Sequence, residues 1–323
     1  APAPDTPASE TGAASADAQT TDPADDAGPA ELDAAHRATA RKHIDGGVAF
    51  LLSQRGENGG WSLRGREEAA ATAMVLKCLL QHPDYGPDSD VVRKGFQVLL
   101  RHQQEDGGIY NPRGGHANYT TSVAVMALAA ADDPQYAEPL RRAVAFLRGL
   151  VIGEGATDAA GQTVDKEHPL YGGVSYGPRG GARRADLSNV GMWMEAMHQA
   201  GVSGDDPDMR RVATFVTRMQ NNRETNPQPW AAEGPNDGGF VYATGGRGGR
   251  EGGSAAGTVP GSRRGLRSYG SMTYTGFKSL LYANVGRRDP RVLAAFDWIR
   301  TYWRLDANPN MPQRRSQEGL YYY

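Results

Sequence analysis

The sequence predicts an all-α chain of stacked helical hairpins, and three observations predict it. Five segments repeat apolar residues at offsets 0, 4 and 7. A glycine corner leading to an aromatic or apolar residue follows each segment. A second kind of helical segment, rich in small and apolar residues, follows the first four corners. A repeat of this kind is one supersecondary unit that buries its faces only against its neighbours.

The five one-sided segments are Ile44/Val48/Leu51, Val92/Phe96/Leu99, Leu140/Val144/Leu147, Val212/Val216/Met219 and Val292/Phe296/Ile299. Their spacing puts each trio on one helical face, as an outer helix requires. The corners are Gly59-Gly60-Trp61, Gly107-Gly108-Ile109-Tyr110, Gly172-Gly173-Val174-Ser175-Tyr176, Gly238-Gly239-Phe240-Val241-Tyr242 and the weaker Gly319-Leu320-Tyr321. Glycine supplies the positive φ that ends a helix and turns the chain. Asn58, Asp106 and Asp237 precede three of the pairs, a recurrence that points to a turn role. The inner helices are predicted at 69–80, 119–131, 187–200 and 272–283. The remaining length falls in loops at 151–170, 222–237 and 243–270, the last rich in Gly and Arg and by its length either mobile or functional.

The first 35 residues carry eight acidic groups and no Lys or Arg. Their apolar surface is too small to offset ordering entropy, so residues 1–35 read as a disordered acidic tail and 36–323 as the folded body. Of 37 Asp+Glu in the chain, 29 then belong to the body, against 35 Lys+Arg. The body is mildly basic, with no basic run interleaved with aromatics, so no nucleic-acid partner is expected. Cys78 is the only cysteine, which excludes an internal disulfide and a multi-cysteine zinc site. No stretch has the length of a transmembrane helix. The start at Ala1, without Met, and the acidic tail lead to an expectation of export, periplasmic or extracellular, with the signal peptide removed.

The segment Phe50-Leu51-Leu52-Ser53-Gln54 leading to Asn58-Gly59-Gly60-Trp61, and Gln103-Gln104-Glu105-Asp106-Gly107-Gly108, resemble the QW motifs of the prenyltransferase and squalene-oxidase repeat family. That family includes terpenoid cyclases and protein prenyltransferases. The first match is one residue longer between Gln and Gly than the usual pattern, and the second has Ile109 where Trp is typical. The resemblance covers roughly residues 36–323. It implies an (α/α) toroid, or barrel, of about five to six hairpins, with inner helices lining a central cavity. The last inner helix is expected beyond Tyr323, absent from this chain. A fold of this kind serves several chemistries, so activity has to be argued from the site.

Class II cyclases of the family protonate an alkene with the acid of a DxDD motif, which residues 36–323 lack. Asp186, in Arg184-Ala185-Asp186-Leu187-Ser188-Asn189, is the candidate catalytic acid, and Asp is equally a favoured N-cap. The two roles are compatible at the mouth of a cavity. The zinc prenyltransferases bind metal through Asp, Cys and His. Here Cys78 reads as a buried small hydrophobe, and His116, His168 and His198 stand singly. Neither metal nor cofactor is expected. The thioester loop of complement-like relatives is absent. A lyase of the toroidal pectate-lyase kind would need clustered carboxylates, and the inner elements offer only Glu67, Glu68, Asp186 and Glu195.

Inner helices that all begin after a corner should open their N-termini on one rim, where helix dipoles favour anions. Arg113, Arg179, Arg183, Arg184, Arg247, Arg250, Arg263, Arg264 and Arg267 fall in the same loops. The expected ligand is therefore a hydrophobic or amphiphilic small molecule such as an isoprenoid diphosphate. Arg184, Arg267, His116, Tyr119 and Tyr274 are placed at the rim, and Trp193 with Met194 on the wall. The arginines read equally as a solvated face, and Trp193, Met194 and Met197 as core. Two other functions stay open: a carbohydrate-active toroid on an acidic polysaccharide, and a non-catalytic interaction scaffold. The sequence leaves oligomeric state, and whether a partner chain completes the ring, undetermined.

Overall fold

The computed structural model describes residues 32–63, 65–178, 184–243 and 253–319. The chain divides into two compact units, one ending at Ala49 and one running from Phe50 onward. Most of the predicted tail lies outside the described residues. In the first unit, helix α1 (Ala34–Ser53, crossing the boundary) starts beside Asp33, which accepts from the His36 amide at 2.9 Å. Of the α1 residues only Val48 is buried, and Ile44 is 53% exposed.

Among its described residues the second unit is all-α apart from a two-residue hairpin, β1 (Ser62–Leu63) with β2 (Arg66–Glu67). Its helices are α2 (Ala69–Leu80), α3 (Asp90–Leu100), α4 (Ala117–Ala131), α5 (Ala137–Arg148), α6 (Leu187–Gln199), α7 (Pro207–Thr217), the single turn α8 (Pro229–Ala232), α9 (Gly270–Tyr282) and α10 (Pro290–Tyr302). The inner helices α2, α4, α6 and α9 pack in succession. Behind them α3 packs on α2, α5 on α4, α7 on α6 and α9, and α10 on α9. This is the alternating inner and outer order of an α/α toroid.

Local chemistry sets the helix ends. Asp206-Pro207 and Asp289-Pro290 open α7 and α10, each Asp accepting from the amide two residues on. Asp133-Pro134 does the same for the turn leading into α5. An acceptor at the cap and a preset φ after it suit a helix start. Helix α4 is buried nearly all round, from Ala117 to Ala131. Helix α3 buries one stripe, Val92, Phe96 and Leu99, the division of labour expected of inner and outer helices.

Each of the first four glycine corners seats the outer helix that follows it. The first glycine has positive φ: 94° at Gly59, 90° at Gly107, 80° at Gly172 and 79° at Gly238. A Cβ on Gly107, Gly172 or Gly238 would lie 2.6, 2.1 or 2.4 Å from a backbone oxygen of Arg142, Arg211 or Ala294. A Cβ on the second glycine would strike Val98, Phe146 or Trp298, or, at Gly173, Ala185 and Phe215. The contacted outer-helix positions are spaced i, i+4 in every repeat. Asn58, Asp106 and Asp237 each accept from the amide of the second glycine, at 3.0, 3.0 and 3.1 Å. The next residue is tied to the inner helix. Thr72, Thr121 and Thr273 hydroxyls accept from the Trp61, Ile109 and Phe240 amides at 3.0 Å.

Three details differ from the sequence reading. Cys78 is exposed, because α2 buries Thr72, Val75, Leu76 and Leu79 and turns Cys78 outward with Met74. In α10 the buried residues are Val292, Ala295 and Trp298, leaving Phe296 46% exposed. In α5 they are Ala143, Phe146 and Leu147. Both helices are rotated to seat the residue under the glycine pair, so each trio keeps one buried member, Val292 or Leu147, and the other two lie beside the buried stripe.

Candidate ligand-binding cleft

A cavity of about 570 Å³ lies where the N-terminal ends of three inner helices meet. It falls in the size range of small-molecule sites. Tyr119 of α4, Ser188 of α6 and Ser271 with Met272 of α9 come from those ends. Tyr242, Ser254 and Ala255 come from the loop before α9, and Asn308, Met311, Arg315 and Glu318 from the segment after α10. That segment is pinned to α9. Gly270 donates its amide to the Pro309 carbonyl at 3.0 Å, and Ser271 donates to Asn308 Oδ1 at 3.0 Å. Asn308 thus caps α9 from a distant part of the chain.

Asp186 stands immediately behind the cleft with a fully buried side chain. It is the N-cap of α6, accepting from the Asn189 amide at 2.9 Å. The same oxygen accepts from Ser188 Oγ at 2.7 Å, and the other oxygen accepts from the Tyr176 hydroxyl. Arg184 Nη2 is 3.7 Å from the carboxylate and 3.3 Å from the Tyr176 oxygen, its guanidinium over the Tyr176 ring. Burial, then the Asp186 charge, pushes the Tyr176 phenol above its ordinary range. Tyr176 therefore keeps its proton and stays a donor.

Ser188 links Asp186 to Tyr119, whose hydroxyl is 2.6 Å from Ser188 Oγ. Tyr176 links it to Tyr242 at 3.4 Å. His116, the N-cap residue of α4, sets its ring 6.1 Å from those of both Tyr119 and Tyr176. The structure so gathers Asp186, Arg184, Tyr119 and His116.

It does not bring the other sequence candidates into this group. Arg267 is half-buried in the loop before α9, with its amide on the Gly257 carbonyl and Nη1 3.5 Å from the Ala256 carbonyl. Tyr274 is half-buried on α9, and burial raises its phenol. Trp193 is fully buried and donates its indole N–H to the Leu147 carbonyl at 2.8 Å, which ties α6 to the end of α5. Met194 is equally buried. Arg179, Arg183, Arg247 and Arg250 lie outside the described residues.

The sequence reading passed over Ser188, Tyr176, Tyr242, Asn308, Arg315 and Glu318. Two of them carried a signal: Tyr176 and Tyr242 stand three residues after the second glycine of consecutive corners. A separate charged group lies further along the inner helices. There Glu195 of α6 bridges Lys77 of α2 at 3.6 Å and Lys278 of α9 at 3.0 Å. Among the described residues no three His, Cys, Asp or Glu side chains cluster as metal ligands do. No described helix is long and apolar enough to cross a membrane.

No known protein family matches the chain, and no curated protein matches it significantly. Among solved structures, it is similar to variants of the type II terpene cyclase MstE from Scytonema. Two, with geranylgeranyl dihydroxybenzoate as substrate, align at 16% identity and TM-score 0.47, over 83% of this chain and 64% of theirs. A third, with merosterolic acid A as product, aligns at 16% identity and TM-score 0.34, over 82% of this chain and 80% of its own. This chain therefore spans less than two thirds of the length of the first two. Likeness at this level says nothing about the residues of the cleft.

Proposed function

We propose that the protein binds an amphiphile of the isoprenoid kind, its polar head in the cleft beside Asp186 and its apolar part against the tyrosine and methionine walls. One observation carries this reading. The cleft sets Tyr119, Tyr242, Met272 and Met311 beside Ser188, Ser254, Asn308 and the Arg315–Glu318 pair. Ligand sites combine apolar walls with a few placed polar groups in this way. The resemblance of the repeats to the squalene-cyclase and prenyltransferase class supports the same ligand chemistry. In this reading Asp186 orders the hydroxyls around the head group and is the candidate acid–base residue, without the paired acids of a DxDD motif.

Mass spectrometry of lipid extracted from the purified chain tests it. Recovery of a polyprenyl species, lost on Ala255→Trp, which fills the cleft, is the expected result. No lipid in either sample, and no thermal shift with prenyl alcohols or diphosphates, would refute it. A carbohydrate ligand is the second reading. It is favoured by the tyrosine faces combined with serine hydroxyls and an Arg–Glu pair. Binding of an oligosaccharide, with no prenyl compound bound, would select it.

A further inference from the structure

The inner helices α2, α4, α6 and α9 carry three Asp, Glu, Lys or Arg residues among them, and all three meet. Lys278 Nζ of α9 donates to one oxygen of Glu195 of α6 at 3.0 Å. The other oxygen is 3.6 Å from Lys77 Nζ of α2 and accepts from Gln199 Nε2 at 3.1 Å. Helices α2 and α6 both pack on α4. Lys77 therefore reaches Glu195 across the inner side of the ring, with its ammonium 3.6 Å from the Met126 sulfur of α4. The Lys77 and Glu195 side chains are 19% and 22% exposed, and Lys278 is 44% exposed.

Stability does not account for this gathering, because a partly buried ion pair is often no better than apolar side chains of the same size. The charges also do not balance. Two ammoniums share one carboxylate, and among the described residues no other acid lies at ion-pair distance from either. Beside Glu195 and Lys278 is a space of about 30 Å³, lined also by Thr275, Ser279 and Tyr282. It has room for about two water-sized groups, the oxygens of one carboxylate. The inner helices leave two large described hydrophobics exposed, Met74 and Leu281. Met74 is one turn from Lys77, and Leu281 one turn from Lys278.

We propose that the Lys77–Glu195–Lys278 group is a second binding site, for the carboxylate of an apolar acid. Lys77 balances Glu195, the ligand carboxylate enters the space on Lys278, and the charges then alternate in sign. The hydrocarbon of the acid covers the exposed apolar side chains a turn away. The site stands apart from the head-group position beside Asp186, about two turns further along α6 than Ser188.

Calorimetric titration of the full chain with octanoate and with octanol, at fixed salt, tests it. Octanoate should bind at least about tenfold more tightly, the ratio that one charge-assisted hydrogen bond supplies. Lys278→Met, which keeps an apolar stem, should abolish that preference, and Lys278→Arg should keep it. Glu195→Gln should tighten octanoate, because the lysines lose their internal counterion; a bridge that only joined helices would give no such gain. Octanoate failing to bind, octanol binding as tightly, or Glu195→Gln weakening octanoate would overturn the proposal. Loss of octanoate binding on Ala255→Trp would place the acid in the cleft and overturn it equally. The comparison of the two ligands needs no variant, so it decides the matter even where Lys278→Met fails to fold.

Discussion

Gly172→Ala should cost the protein about 2–5 kcal/mol of stability, and the structure separates that cost into two parts. Gly172 has φ 80°, a conformation that an L side chain occupies at about 1–2 kcal/mol. The new Cβ would also lie 2.1 Å from the Arg211 carbonyl oxygen and 3.3 Å from the Phe215 amide. Backbone cannot rotate aside as a side chain does, so α7 must shift, and overpacking of this kind costs about 1–3 kcal/mol. Gly155→Ala is the control. Its φ is 83°, and nothing lies within 4 Å of its Cβ position. It carries the conformational cost alone, and both variants share the small gain from a stiffer unfolded chain. Urea unfolding followed by far-ultraviolet circular dichroism measures the difference. Gly172→Ala should unfold at clearly lower urea than Gly155→Ala. Equal midpoints would show that the corner does not hold α7 as described, and the repeated seating of outer helices on glycine pairs would fall.

Three further outcomes are expected. Thr72→Val leaves the buried Trp61 amide without its acceptor, and should lower stability by about 1–3 kcal/mol in the same assay. Asn308→Ala removes the remote cap of α9 and should cost about 0.5–2 kcal/mol, with faster proteolysis in residues 303–319; unchanged protection of that segment would contradict the capping role. Asp206 is held below its ordinary 3.8, first by its hydrogen bonds from Arg148. A depressed carboxylate stabilises the fold above its unfolded pKa, and that contribution is lost as pH falls through the lower folded value. Asp206→Asn should therefore be less stable than the parent at pH 6, the gap closing below about pH 4. A gap independent of pH would place the effect in the α7 cap.

The inner helices were legible in the sequence to within two residues at either end, because runs such as Ala69–Leu80 are apolar on most faces and bounded by glycine corners. The N-cap at Asp186 was legible from its local sequence. Which stripe an outer helix buries was less so. Periodicity identifies an apolar trio such as Val292, Phe296 and Ile299. The choice of Trp298 over Phe296 depends on the seat that Gly238 and Gly239 make on another element. The cleft was the least legible part. Asn308 caps a helix 37 residues earlier, and Tyr176, which meets Asp186, reaches Tyr242 only because two corners converge. No local pattern encodes those distances.

Amide hydrogen exchange of the full chain, with and without a saturating prenyl alcohol, tests the cleft most directly. Slower exchange confined to residues 117–122, 186–190, 253–255, 269–273 and 308–319 is the predicted result. Protection centred instead on the Lys77–Glu195–Lys278 bridge, or none with ligand demonstrably bound, would contradict it.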